Sequence, residues 1–71
     1  MTVVIFSEGG IIQEVLSDEE TKVIVVDRDV EDLSENDITT VLGSGAYVFN
    51  GISKADIQPD TVSQVIKETG L

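Results

Sequence analysis

The chain has 71 residues, with 14 carboxylates against four lysines and arginines, no cysteine and no histidine, for a net charge of −10. This composition excludes a disulfide framework, thiolate and imidazole metal ligands, and a side chain whose ordinary pKa suits acid–base work near neutrality. A chain this short is expected to form one small acidic domain, residues 1–71, burying only about 60% of the surface its unfolded form exposes.

Residues 2–8 and 11–17 read as two strands, and Gly9-Gly10 between them suits a type I′ hairpin turn, which needs positive φ at both central positions. A two-residue turn predicts Phe6 opposite Gln13 and Val4 opposite Val15, with Val3, Ile5, Ile12 and Leu16 on the reverse face around Glu14. Both faces are then apolar, which is more than a sheet covered on one side needs. Asp18-Glu19-Glu20 is a polar turn. Val23-Ile24-Val25-Val26 follows as a third strand, apolar throughout and consistent with burial on both faces. It runs into the polar segment Asp27-Arg28-Asp29-Val30-Glu31-Asp32.

Ser34 fits a helix N-cap, with Asp37 three residues later and Leu33 and Ile38 at the hydrophobic-staple positions. Ile38, Val41 and Leu42 form an i, i+3, i+4 stripe that Gly43 would end in the left-handed conformation. Ala46–Asn50 reads as a fourth strand, with Tyr47 and Phe49 sharing a face. Pro59 opens a final helix with Val62, Val65 and Ile66 inward, and Gly70 ends it. The expected fold is therefore α+β: a small, mainly antiparallel sheet, order β-β-β-α-β-α, with two short helices packed on one face. Its expected core is Val4, Phe6, Val15, Ile24, Val26, Ile38, Val41, Leu42, Val48, Val62, Val65 and Ile66.

Two short patterns touch on chemistry. Val23–Val30, an apolar strand ending Asp27-Arg28-Asp29-Val30, resembles the nucleophile motif of haloacid-dehalogenase-type phosphatases. That chemistry implies magnesium, further carboxylates and a basic residue held by a much longer α/β sheet, which 71 residues do not supply. Asp27, Asp29 and Glu31 match the first ligand positions of an EF-hand, but the required glycine and the bidentate glutamate fall on Asp32 and Ile38. The serines have no histidine base, and neither glycine pair makes a phosphate loop. No catalytic residue, cofactor or metal site is expected, and the chain is read as a non-enzyme.

The charge is uneven. Asp18, Glu19, Glu20, Asp27, Asp29, Glu31, Asp32, Glu35 and Asp37 are opposed only by Lys22 and Arg28, so residues 18–37 carry −7. Such a field repels nucleic acid and anionic lipid and attracts basic protein surfaces. Those nine carboxylates are the candidate partner-binding residues. In extended chain Asp27, Asp29 and Glu31 would share a face at roughly 6.6 Å spacing. The bland alternative is solubility, although −10 exceeds the magnitude of about 2–8 that serves a small domain. No apolar run exceeds four residues, so a membrane span is not expected, and the N-terminus lacks the basic residues of a signal peptide. The expected location is the cytoplasm.

The segments Gly9-Gly10-Ile11-Ile12-Gln13-Glu14-Val15-Leu16-Ser17-Asp18, Val23-Ile24-Val25-Val26-Asp27-Arg28-Asp29 and Ala46-Tyr47-Val48 resemble those of short acidic proteins of bacteria and their plasmids and phages. The resemblance implies a bacterial or mobile-element origin and carries no activity with it. Small acidic proteins of that setting include inhibitors of host defence nucleases, some of which imitate DNA. The expected function is thus a protein-interaction module, an inhibitor of anti-CRISPR or anti-restriction type covering a basic nucleic-acid-binding surface without binding nucleic acid itself. The alternative is a structural or regulatory homodimer formed through Val3, Ile5, Ile12 and Leu16.

Overall fold

In the computed structural model, which describes residues 1–71, Gly9 and Gly10 both adopt positive φ (59° and 80°). Their turn joins β1 (Val3–Glu8) to antiparallel β2 (Ile11–Ser17). Beside the turn the expected register holds, with Glu8 opposite Ile11 and Ser7 opposite Ile12. An irregularity between Phe6 and Ser7 then absorbs Gln13 as a bulge, so that Phe6 faces Glu14, Ile5 faces Val15 and Val4 faces Leu16. Because side chains alternate, this one-residue slip exchanges faces. Leu16 joins Val4, and Val15 joins Ile5, correcting the register derived from the turn alone.

The next strand is shorter than its apolar run. β3 covers Val25–Asp27, while Val23 and Lys22 lie along the segment 53–55 through Val23 N–H to the Ser53 carbonyl (3.0 Å), Ala55 N–H to the Thr21 carbonyl (3.0 Å) and a Lys22–Lys54 bridge. Ile24 is left 68% exposed. Where the first helix was expected there is one 3-10 turn, Glu35–Asp37, and the chain then extends into β4 (Thr39–Val41). The cause is local. Ile38-Thr39-Thr40-Val41 is a run of four β-branched residues, stiff at χ1 and better suited to a strand than to a second helical turn. The Ser34 hydroxyl donates to Asp37 Oδ2 (3.0 Å) instead of receiving a backbone N–H. Gly43 does take positive φ (84°), but together with Leu42 (52°) it makes a two-residue hairpin turn from β4 to β5 (Ser44–Phe49).

β5 pairs along its first half with β4 and along its second half with β3, both antiparallel. A two-residue β6 (Asp56–Ile57) runs parallel to β2 and leads into α1 (Pro59–Thr69). Proline at the first turn and Gly70 in the left-handed conformation (φ 72°), donating to the Ile66 carbonyl at 3.0 Å, bound this helix as the sequence predicts. The fold is α+β with one helix and one 3-10 turn. Its strands divide into two three-stranded sheets, β1-β2-β6 and β3-β5-β4, joined through residues 18–24 and 50–55.

Helix α1 packs on the β1–β2 hairpin and buries Val62. Only Val15, Leu16, Ser17, Ala46, Ala55 and Val62 are fully buried, the Ser17 hydroxyl being satisfied by the Glu19 carbonyl. Of the expected core, Val15 and Val62 hold, while Val4, Ile38, Val41, Val48 and Val65 are half-buried. Phe6, Ile24, Val26, Leu42 and Ile66 are exposed. Splitting the strands into two thin sheets explains this shortfall: neither sheet is wide enough to cover large side chains. The radius of gyration is 14.5 Å, where a compact chain of this length gives about 11 Å. The accessible surface is 5491 Å², where a folded monomer of this mass shows about 4,300 Å².

Candidate interaction surface

The acidic residues separate into two groups with different duties. Asp18 Oδ1 accepts the Thr2 N–H (3.0 Å) and ties down the start of β1, leaving Glu19 and Glu20 exposed beside it. Asp27 Oδ1 accepts the Asp29 N–H (2.9 Å), an Asx turn that folds the chain out of β3. The extended row of Asp27, Asp29 and Glu31 therefore does not form, and these residues assemble no group of three metal-ligating side chains.

Instead, residues 28–38 make a closed loop. Its flanking residues Asp27 and Thr39 lie opposite consecutive residues of β5, Tyr47 and Ala46. They are thus held within about two strand spacings, ~10 Å. Val30, Leu33 and Ile38 are half-buried, and Leu33 N–H donates to the Val30 carbonyl (3.2 Å). A segment of this length with its ends this close is an Ω-loop. Asp29, Glu31, Asp32, Glu35 and Asp37 all face solvent, and with Arg28 they give the eleven residues a charge of −4. Ile38 sits so close to β5 that its Cγ2 would be 3.1 Å from a Cβ at Gly45.

Arg28 does not offset these carboxylates directly. Its Nη1 donates to the carbonyls of Val41 (3.0 Å) and Ser44 (3.1 Å), on either side of the β4–β5 turn. The guanidinium thereby fixes the base of the acidic loop to the hairpin tip. That tip presents Leu42, 93% exposed and in a left-handed conformation that costs a β-carbon-bearing residue about 1–2 kcal/mol.

Beside the loop lies an open apolar cleft of about 390 Å³ between the two sheets. Ile11 and Ile12 line it from the first hairpin, and Val25, Val26, Tyr47 and Phe49 from the second sheet, with Asp27 and Arg28 at its polar edge. Tyr47 and Phe49 meet edge to face, ring centroids 6.4 Å apart at 61°. The Phe49 ring lies over Gly51, where a Cβ would stand 2.7 Å from it.

The structure thus gathers Asp29, Glu31, Asp32, Glu35 and Asp37 into one loop with Asp27 at its root. The Asp18–Glu20 turn joins the two sheets at the other end of the 21–27 segment. Sequence reasoning did not single out the cleft, and it placed Leu42 in the core instead of at an exposed hairpin tip. The available signals were the apolar residues on both faces of the first hairpin, the shared face of Tyr47 and Phe49, and a Leu-Gly pair between β-branched and small residues. Comparison of the chain with protein-family models, with curated proteins and with solved structures found no match.

Proposed function

We propose that this chain is a non-enzymatic interaction module that docks on a basic protein surface, with the acidic loop 28–38 as its electrostatic face and the adjoining cleft as its apolar centre. The observation that carries this reading is the juxtaposition of a −4 loop with exposed carboxylates and an apolar cleft sharing Arg28 with it. Interfaces combine a desolvated apolar or aromatic centre with a polar, charged rim, and acids at the rim speed and orient encounter with a basic partner. A basic surface built for nucleic acid is the natural match for this charge, so the proposed setting is a mobile-element inhibitor of a host defence complex, of anti-CRISPR or anti-restriction type, acting in the cytoplasm.

Affinity capture from a lysate of the source cells tests the reading. The wild-type chain should retain a basic protein that free double-stranded DNA displaces and that is released as salt rises, because the Debye length falls from about 10 Å at 0.1 M to 3 Å at 1 M. The variant Asp29→Asn, Glu31→Gln, Asp32→Asn, Glu35→Gln should lose that protein while keeping its circular dichroism spectrum. Retention of the same protein by the folded variant, with the same salt dependence, would overturn the electrostatic reading.

A further inference from the structure

Strand β1 is the open edge of its sheet: the order is β1-β2-β6, and only β2 pairs with it. The other edge strands, β3, β4 and β6, are three, three and two residues long, whereas β1 has six. An edge of that length presents a row of unpaired main-chain donors and acceptors, and stable monomers protect such edges with lysine, proline or inward charge. The sequence of β1, Val3-Val4-Ile5-Phe6-Ser7-Glu8, has no lysine or proline, and its one charge is at its end. Val3, Ile5 and Phe6 are exposed, Ile5 by 58%.

We infer that a second copy of this chain occupies this edge, β1 pairing antiparallel with the same strand of its partner about a two-fold axis to give a continuous six-stranded sheet. Three observations select that occupant. The surface of one copy, 5491 Å², exceeds that of a compact monomer of its mass by about 1,200 Å², more than the ~800 Å² each partner buries in a standard interface. The edge is self-complementary, since an apolar strand with its charge at one end meets an identical strand without opposing like charges. Centred on Ile5, which then lies opposite its own copy, the antiparallel arrangement holds the two Glu8 residues roughly 20 Å apart, beyond the Debye length at ordinary salt. The acidic loop 28–38 belongs to the other sheet and contributes no residue to this edge. The sequence alone suggested a dimer through Val3, Ile5, Ile12 and Leu16. With Leu16 buried by the shifted register, the contact moves to the strand edge and keeps only Val3 and Ile5 of that set.

The inference is independent of the acidic-surface proposal, and its test uses a different strand. Sedimentation equilibrium over a micromolar concentration series should show the wild-type chain dimerising. Ile5→Lys should raise the dissociation constant by about a hundredfold, the loss of one buried isoleucine on each copy, and should leave salt-dependent partner capture intact. Because the chain has no cysteine, Ile5→Cys supplies a second readout that does not depend on the lysine variant folding. On mild oxidation it should form a disulfide-linked dimer, whereas Thr69→Cys on α1 should not. A wild-type chain that stays monomeric throughout, a folded Ile5→Lys that dimerises unchanged, or cross-linking as efficient through Thr69 as through Ile5 would each overturn the inference.

Discussion

Replacing Leu42 with asparagine should make the protein more stable, although Leu42 is a large apolar residue. The side chain is 93% exposed, so truncating its apolar surface removes almost no burial. Its backbone is at φ 52°, followed by Gly43 at 84°. A left-handed conformation costs an ordinary residue about 1–2 kcal/mol, and asparagine recovers much of that by local hydrogen bonding. Asn-Gly is also the favoured pair for a type I′ hairpin turn. The expected gain is about 1 kcal/mol, which for a chain of 60–100 residues corresponds to roughly 4–8 °C in Tm. Thermal and urea unfolding followed by circular dichroism would measure it, with Gly43→Ala as the opposite control, expected to destabilise by a similar or larger amount because alanine is strained at that φ. A fall in Tm for Leu42→Asn, or a harmless Gly43→Ala, would refute the assignment of strain to this turn.

Arg28→Met should destabilise by about 1–2 kcal/mol, from two charge-assisted bonds at an exposed position, and hydrogen exchange should show residues 29–38 opening faster than in the wild type. Val62→Ala, at the most buried apolar side chain of the helix, should cost about 2 kcal/mol. That is roughly half the stability a core of this size supplies, so Tm should fall by about 8–16 °C. Gly51→Ala should displace the Phe49 ring, since the added methyl would meet it at 2.7 Å. The ring-current shifts of Tyr47 would report the change, and unchanged Tyr47 resonances would show that the two rings are not packed as described.

What could be read from the sequence followed the strength of local signals. Gly9-Gly10, Pro59 and Gly70 each prescribe a backbone conformation almost independently of context, and the first turn and the last helix form where they predict. The bulge at Gln13 has no such signature: Gln13 itself is unremarkable, and no turn or proline near it marks the register shift. The segment 34–43 carried competing signals, a good helix start at Ser34 and four β-branched residues from Ile38. A single 3-10 turn forms after Ser34 without a side-chain cap, and β-propensity takes the rest. Placing the acids required tertiary information. The sequence shows nine carboxylates between 18 and 37, but not that Asp18 and Asp27 accept backbone N–H groups, nor that pairing of β3 and β4 with β5 folds the remainder into a closed loop.

The exposed apolar surface and the excess acidity belong to one physical problem. A chain that leaves Val3, Ile5, Phe6, Ile11, Val26 and Leu42 accessible would be prone to nonspecific association at low charge. A net charge of −10 supplies repulsion against that, which is the bland explanation of the acids. Repulsion of that kind depends on total charge and is nearly indifferent to where the charges sit. Docking depends on position. The loop variant Asp29→Asn, Glu31→Gln, Asp32→Asn, Glu35→Gln takes the chain to −6, and neutralising Glu19, Glu20, Asp60 and Glu68, outside the loop, also gives −6. If the acids serve solubility alone, the two variants should aggregate equally and retain bound protein equally. If the loop is the docking face, they should be alike in solubility and differ in binding, with only the loop variant losing its partner.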